Sequence, residues 1–326
     1  MKVFVTGGNG FIGSRVVRKL CERGHEVRCL LRSTSDTRRI DDLEVERVVG
    51  DLLDPASLEL GLQDCDACVH LASVSSWDEI ASDHVEQTVV EGTRGLLGAA
   101  ARVDGLRFVY VSSGAAVNGS SRPEVFDETS AFTLEGSGLR YAIAKHAAEQ
   151  LVLAAAADGL DAVVVNPGET YGPDDDDWVT AGAIRDVLRG WPALAVRGGT
   201  SVVHVDDVAE GIVAALERGR AGERYILGGE NLTVEQIVRT VLALASSRKP
   251  VVLVPAGFLR SAVRVCQTLR LPPPLPPDLV GYACRYWFTS SEKAKRELGY
   301  RHRPAREALA SVVAWIQPNG RAGRVA

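Results

Sequence analysis

Apolar residues in the first half of the chain come in short unbroken runs, separated by stretches where they recur every three or four positions. The runs are "KVFVTG" (2–7), "HEVRCLLR" (25–32), "VERVVGD" (45–51), "ACVHLA" (67–72), "RFVYVSS" (107–113) and "DAVVVNPG" (161–168). Runs apolar throughout predict strands buried on both faces. Between them "FIGSRVVRKLCERG" (11–24), closed by Gly24, and stretches near 55–62, 82–102 and 138–158 have helical spacing. This alternation predicts an α/β fold, a doubly wound parallel sheet of Rossmann type, over residues 1–168. Beyond residue 170 the pattern loosens. "YGPDDDDW" reads as a solvated acidic loop, and "VVHVDDVAEGIVAALERG" (202–219) as a short strand and a helix. "NLTVEQIVRTVLAL" (231–244) reads as a helix opened by a capping box of Thr233 and Gln236, and "LPPPLPP" (271–277) as a loop. Residues 169–326 are expected to form mainly a smaller substrate-binding lobe, with some segments returning to the first sheet.

Composition narrows the partners. The chain has 326 residues, 46% of them hydrophobic and 24% charged, enough to bury a sizeable core. A formal net charge of -5 with no long basic run argues against nucleic acid. Cysteines at 21, 29, 65, 68, 266 and 284 show no regular framework and read as reduced thiols. Cys65 and Cys68 form a C-x-x-C inside an apolar stretch, without the second ligand pair that a metal site needs. The N-terminus is patterned as structure, not as a leader, and no uncharged apolar segment reaches the ~20 residues of a membrane span. The expectation is a soluble cytoplasmic protein acting on a small molecule. The apolar stretch "AIAKHAAEQLVLAAAA" (142–157) would suit a homodimer seam or a buried helix of a monomer equally well.

"TGGNGFIG" (6–13) lies between the first strand and the first helix, with Gly7, Gly10 and Gly13 three apart and Phe11 and Ile12 opening the helix. Glycine at this spacing permits a tight turn, close approach of backbone to a pyrophosphate, and close helix–sheet packing. A dinucleotide is therefore expected there. The second strand ends in Leu31-Arg32 with Arg38 and Arg39 nearby, where NAD-binding chains carry a carboxylate. A guanidinium at that point grips a 2′-phosphate, which favours NADP(H) over NAD(H).

"YAIAK" (141–145) sets a phenol and an ammonium one helical turn apart. A neighbouring ammonium is expected to lower the phenol's pKa toward the range useful for proton transfer. The strand ending "VYVSS" precedes it and offers hydroxyls at the carboxyl edge of the sheet, where a substrate oxygen could be bonded.

Taken in order, TGGNGFIG, "GDLLD" (50–54), "VHLA" (69–72), "VSS" (111–113), YAIAK and "NPGETYGP" (166–173) resemble the extended short-chain dehydrogenase/reductase superfamily over nearly the whole chain. "EVRCLLR", "HVDDVAEG", "GERYILGGENLT" and "FTSSEKAKRELGY" are most similar to dihydroflavonol-reductase-like proteins and the hopanoid-associated sugar epimerase group. The resemblance implies Tyr141 as acid/base, Lys145 as its activator and ribose contact, and Ser113, in preference to Ser112, as the catalytic hydroxyl. It further implies Asp51 and Leu52 at the adenine and His70, Leu71, Ala72 and Ser73 along the pyrophosphate and ribose path. Pro167 would stand near the carboxamide, with Asn118, Gly168 and Thr170 at the substrate. Gly114 and Val89 depart from the sugar-epimerase pattern, which often has a hydroxyl at the first position and an asparagine at the second.

The reading is an NADP-dependent ketone reductase working through serine, tyrosine and lysine. Its alternatives are a nucleotide-sugar epimerase or dehydratase with tightly held NAD, and a non-catalytic NADP-binding module. A sugar diphosphate would need basic groups, for which Arg185, Arg197 and Arg264 are candidates. His204 reads as a core or second-layer histidine beside Asp206. Residues 257–270, apolar with several arginines, read as an ordinary packed helix that could also lie on a membrane surface or cover an apolar substrate.

Overall fold

A computed structural model describes residues 1–74, 80, 82, 84–271 and 277–317. The proline-rich loop, apart from its two ends, and residues 318–326 lie outside the described residues. Seven parallel strands form the main sheet. They are β1 (Lys2–Thr6), β2 (Glu26–Leu31), β3 (Glu46–Val49), β4 (Ala67–His70), β5 (Arg107–Val111), β7 (Asp161–Pro167) and β11 (Arg224–Leu227). Their order is β11-β7-β5-β4-β1-β2-β3, which crosses over at β1 and makes the sheet doubly wound.

Alternation along β1 sorts the core into two layers. Val3 and Val5 join one apolar cluster with α1 (Phe11–Glu22) and α6 (Val205–Arg218), while Phe4 joins another with α2 (Pro55–Leu62), α3 (Gly92–Ala100) and α4 (Arg140–Ala157). The helix expected over 82–102 is not uniform, because a π turn, Gln87–Glu91, leads into α3. β3 is an edge strand and is shorter than its apolar run suggests.

A second sheet is ordered β12-β10-β14-β6, from β12 (Glu230–Thr233), β10 (Gly199–His204), β14 (Tyr286–Thr289) and β6 (Val125–Phe126), with β8 (Glu169–Tyr171) also pairing β10. A small third sheet pairs β9 (Ala193–Val196) with β13 (Val251–Val254). Around these pack α5 (Ala181–Arg189), α7 (Val234–Leu244), α8 (Ala256–Leu269), α9 (Pro277–Ala283), α10 (Glu292–Leu298) and α11 (Ala305–Ile316). α7 begins with the Thr233–Gln236 capping box that the sequence predicts. Gly168 alone separates β7 of the main sheet from β8 of the second. A Cβ there would lie 2.6 Å from the Ser201 carbonyl oxygen, so only glycine lets the two sheets meet so closely. No described helix is long and apolar enough to cross a membrane.

Candidate active site

The glycine-rich turn forms at the carboxyl end of β1. Gly7 has φ +72°, and a Cβ on it would meet the Ala72 nitrogen at 2.7 Å. A Cβ on Gly13 would fall 2.0 Å from the Gly7 carbonyl oxygen. Phe11 and Ile12 open α1, whose N-cap, Gly10, supplies no side-chain bond, and no acidic residue stands in its first turn. The amide end of α1 is thus left to an external anion. Leu71 and Ala72 run beside Gly7, and the Ser73 hydroxyl is buried with no partner among the described residues. Leu52 packs its side chain against Gly92, and Asp51 stays exposed, accepting from the Leu53 amide at 2.8 Å.

His70 does not line this path. Strand alternation turns its ring wholly into the core, between Thr6 (2.7 Å) and Thr93 (3.0 Å). The Thr93 hydroxyl donates to the Val89 carbonyl at 2.6 Å, so the histidine Nε2–H donates to Thr93 and Nδ1 accepts from Thr6. Burial, with the Lys145 charge nearby, lowers the His70 pKa to about 3.

The acidic run is a solvated loop only in part, with Asp174, Asp176 and Asp177 exposed and Asp175 buried. Arg15 reaches Asp174 at 2.6 Å and the Pro173 carbonyl, and Arg39 reaches the Asn9 carbonyl (3.4 Å), the Asp174 carbonyl (2.8 Å) and Asp176. Asp175 is buried and accepts from the Thr180 and Ala181 amides at the start of α5. The run is a strap tied to the glycine-rich turn. Arg38 pairs with Asp36, while Arg32 is exposed at the end of β2 with no side-chain hydrogen bond among the described residues.

Ser113 follows β5 and caps a short 3-10 turn, accepting from the Ala115 amide at 3.2 Å. Its side chain lies close enough to the Tyr141 phenol to lower that phenol's pKa, whereas the Ser112 hydroxyl is buried without a partner among the described residues. Of the two serines, the fold brings Ser113 to the tyrosine. Burial raises the Tyr141 pKa, and the nearby Ser113 hydroxyl partly offsets the rise. The relief therefore comes from the serine, not from the lysine charge as the spacing suggested. Lys145 is buried along α4, donates to the Val111 carbonyl at 2.8 Å and lies 4.7 Å over the Tyr110 ring. Burial brings its pKa down to about 7, and Glu149 one turn further on raises it.

Glu149 is fully buried and was not singled out from the sequence. Its carboxylate accepts from Arg224 and from the Asn166 amide, each at 2.7 Å, and Asn166 also donates to the Ser113 carbonyl at 3.0 Å. One carboxylate is thus linked to both Ser113 and Lys145. Its signal in the sequence is position alone, since 141, 145 and 149 share one helix face.

Pro167 ends β7, and Gly168 donates to the Leu227 carbonyl at 3.1 Å. Two residues expected at the substrate have other partners. Asn118 is buried, donates to the Ala131 carbonyl (2.8 Å) and accepts from Gly119 (2.9 Å) and Thr133 (3.2 Å), so it pins the 131–133 loop. Thr170 is buried with its hydroxyl on the Gly168 carbonyl at 3.0 Å. Beside the start of α4 lies an aromatic group. The Tyr282 hydroxyl accepts from the Ala142 amide (3.4 Å), Tyr282 stacks on Trp287, and Phe132 packs in the same cluster. His204 is buried and caps α6, accepting from the Asp206 amide at 3.1 Å.

The profile of the NAD dependent epimerase/dehydratase family matches residues 3–228. The chain belongs to that family. Members similar to it include a Synechocystis protein carrying the name dihydroflavonol 4-reductase, 35% identical over 97% of this chain and 95% of that one. A ketoreductase of Stigmatella aurantiaca, named for a farnesylated dihydroquinoline oxide, is 31% identical over 92% of each chain. The solved structure of a nucleoside-diphosphate-sugar epimerase from Pseudomonas aeruginosa superposes with a TM-score of 0.79, at 27% identity, covering 98% of both chains.

As an epimerase/dehydratase-family member the protein is an NAD(P)-dependent oxidoreductase of the extended short-chain type. The residues present fit a nicotinamide dinucleotide: a glycine cradle that any Cβ would fill, a helix end with no anion of its own, and the unpartnered Ser73 hydroxyl beside it.

Proposed function

We propose that the protein is an NADP(H)-dependent ketone reductase, or the corresponding alcohol dehydrogenase in reverse, acting on a small organic substrate through Ser113, Tyr141 and Lys145. The observation that supports this reading is the nearness of Ser113 to the buried Tyr141 phenol, one helical turn from Lys145, at the carboxyl edge of the sheet. The turn around Gly7, Gly10 and Gly13, the start of α1, and Leu71, Ala72 and Ser73 would hold the dinucleotide, with Pro167 at its nicotinamide end. When bound, the nicotinamide supplies a hydride to a carbonyl carbon or takes one back. Ser113 orients the carbonyl oxygen by hydrogen bonding, and Tyr141 gives that oxygen its proton. The raised Tyr141 pKa suits this step, because the phenol keeps its proton at neutral pH. Lys145 would hold the nicotinamide ribose beside Tyr141, and Glu149 favours the charged form of Lys145.

NADP(H) is favoured by Arg32, whose guanidinium is exposed at the end of β2 while those of Arg38 and Arg39 are engaged elsewhere. The second sheet and its helices would form the substrate lobe, with Phe132, Tyr282 and Trp287 giving the substrate an apolar wall near Tyr141. The test is NADPH oxidation against a panel of ketones. Tyr141→Phe should lower turnover by about 10²-fold or more and leave NADPH affinity nearly unchanged. Turnover near the wild-type level in that variant would sink the reading. Purified protein that retains NAD⁺ would move it to the epimerase class, and NADPH binding without turnover of any ketone to a non-catalytic module.

A further inference from the structure

The helix α8 does not behave as a packed surface helix. Only Leu259 and Val263 among its residues are buried, against Val280 and Cys284 at α9. Phe258 is 70% exposed, Val265 55% and Leu269 62%, and Leu271 just beyond the helix is 54% exposed. At 100° per residue, positions 258, 265 and 269 fall within about 40° of one another, a single apolar stripe that no described residue covers. Arg260 and Arg264 are exposed on the other flank of the open face, and Arg270 caps the end. The strand that leads into α8 adds exposed Val252, with Leu194 paired beside it.

The charge pattern around this helix is one-sided. Between Glu235 and Asp278 the sequence has no acidic residue and six basic ones, in a chain whose formal net charge is -5. We propose that the exposed face of α8, with Leu271, docks the protein onto the surface of an anionic lipid bilayer. The apolar stripe would enter the boundary between headgroups and acyl chains, and the arginines would meet the lipid phosphates. Long arginine side chains reach headgroups from the flank of a helix lying in the interface. The location has a functional side. α8 packs on α9, and Tyr282 of α9 bonds the first turn of α4 beside Tyr141, so a docked molecule would hold its candidate active site one helix away from the lipid.

The test requires no turnover. Full-length protein is floated with vesicles of phosphatidylcholine containing phosphatidylglycerol, and with vesicles of phosphatidylcholine alone. The protein should rise with the anionic vesicles only. Binding should fall at least tenfold in Phe258→Ser/Leu269→Ser and in Arg260→Ser/Arg264→Ser, each checked for a native circular-dichroism spectrum. In Phe258→Trp, emission should shift to the blue on adding anionic vesicles. Absence of flotation with either vesicle overturns the proposal, as does binding unchanged in both double variants. A vesicle-free mass that is dimeric in wild type and monomeric in Phe258→Ser/Leu269→Ser also overturns it, and assigns the face to a second copy.

Discussion

Lys145 is an ammonium in an apolar setting, and its surroundings decide how it behaves. Burial brings its pKa from 10.5 to about 7. Between these two values the unfolded chain holds the proton and the native chain does not, so this residue's cost to stability is full below pH 7 and fades as pH rises through the window. Lys145→Met should therefore be more stable than wild type at pH 7, with the advantage shrinking toward pH 10 in urea titrations. An advantage that does not change with pH would contradict this. Glu149 acts on the same group from one turn away. In Glu149→Gln the alkaline limb of the reduction profile should move to lower pH and turnover should drop, whereas a merely structural role would lower turnover with the limb in place. Tyr141 and Lys145 are visible in the sequence as a pair one helical turn apart, and Ser113 enters through the family resemblance. Glu149, Asn166 and Arg224 were not, because their meeting depends on three elements far apart in the chain. The core-facing ring of His70 and the loop partners of Asn118 were not foreseen for a related reason: a motif gives the position of a residue but not the face onto which its side chain turns.

At the scale of elements, the glycine-rich turn and α1 make one unit. The contact of Gly13 with the Gly7 carbonyl leaves no room for a methyl group, so Gly13→Ala must shift backbone against backbone. Thermal unfolding should show a loss of about 1–3 kcal/mol, with dinucleotide affinity reduced more than tenfold. Wild-type affinity in a stably folded Gly13→Ala would show that the turn is not the cradle. The strands of the main sheet were readable because burial on both faces writes them as apolar runs. The π turn before α3 was not, since one extra residue in a helix leaves the apolar pattern almost unchanged. The ties of this run were missed because four successive aspartates give no sign of the arginines that pair with Asp174 and Asp176 from α1 and the segment after β2, or of the α5 amides that bury Asp175.

Across the whole molecule, the chain does not finish its first sheet before starting its second. β11 completes the main sheet from residues 224–227, and α6 buries Val208, Ile212 and Val213 in the same cluster as Val3 and Val163. A fragment of residues 1–168 would leave that face open to water. It should fail to give a cooperative unfolding transition, while the full chain unfolds in one step by circular dichroism. Autonomous folding of the fragment would overturn this account. Only the first six strands of the sheet were marked out by their apolar runs. β11, only four residues long, gains its place from tertiary packing against β7.

Gly168 is the joint between the sheets, and its position has a consequence for how such a protein can change over generations. Any side chain there pushes one sheet off the other, beginning at the Ser201 carbonyl. Divergence toward new substrates must then leave the joint untouched and, on the proposed reading, draw its variety from the apolar wall of Phe132, Tyr282 and Trp287. A lineage built this way can exchange its substrates while inheriting its cofactor chemistry intact.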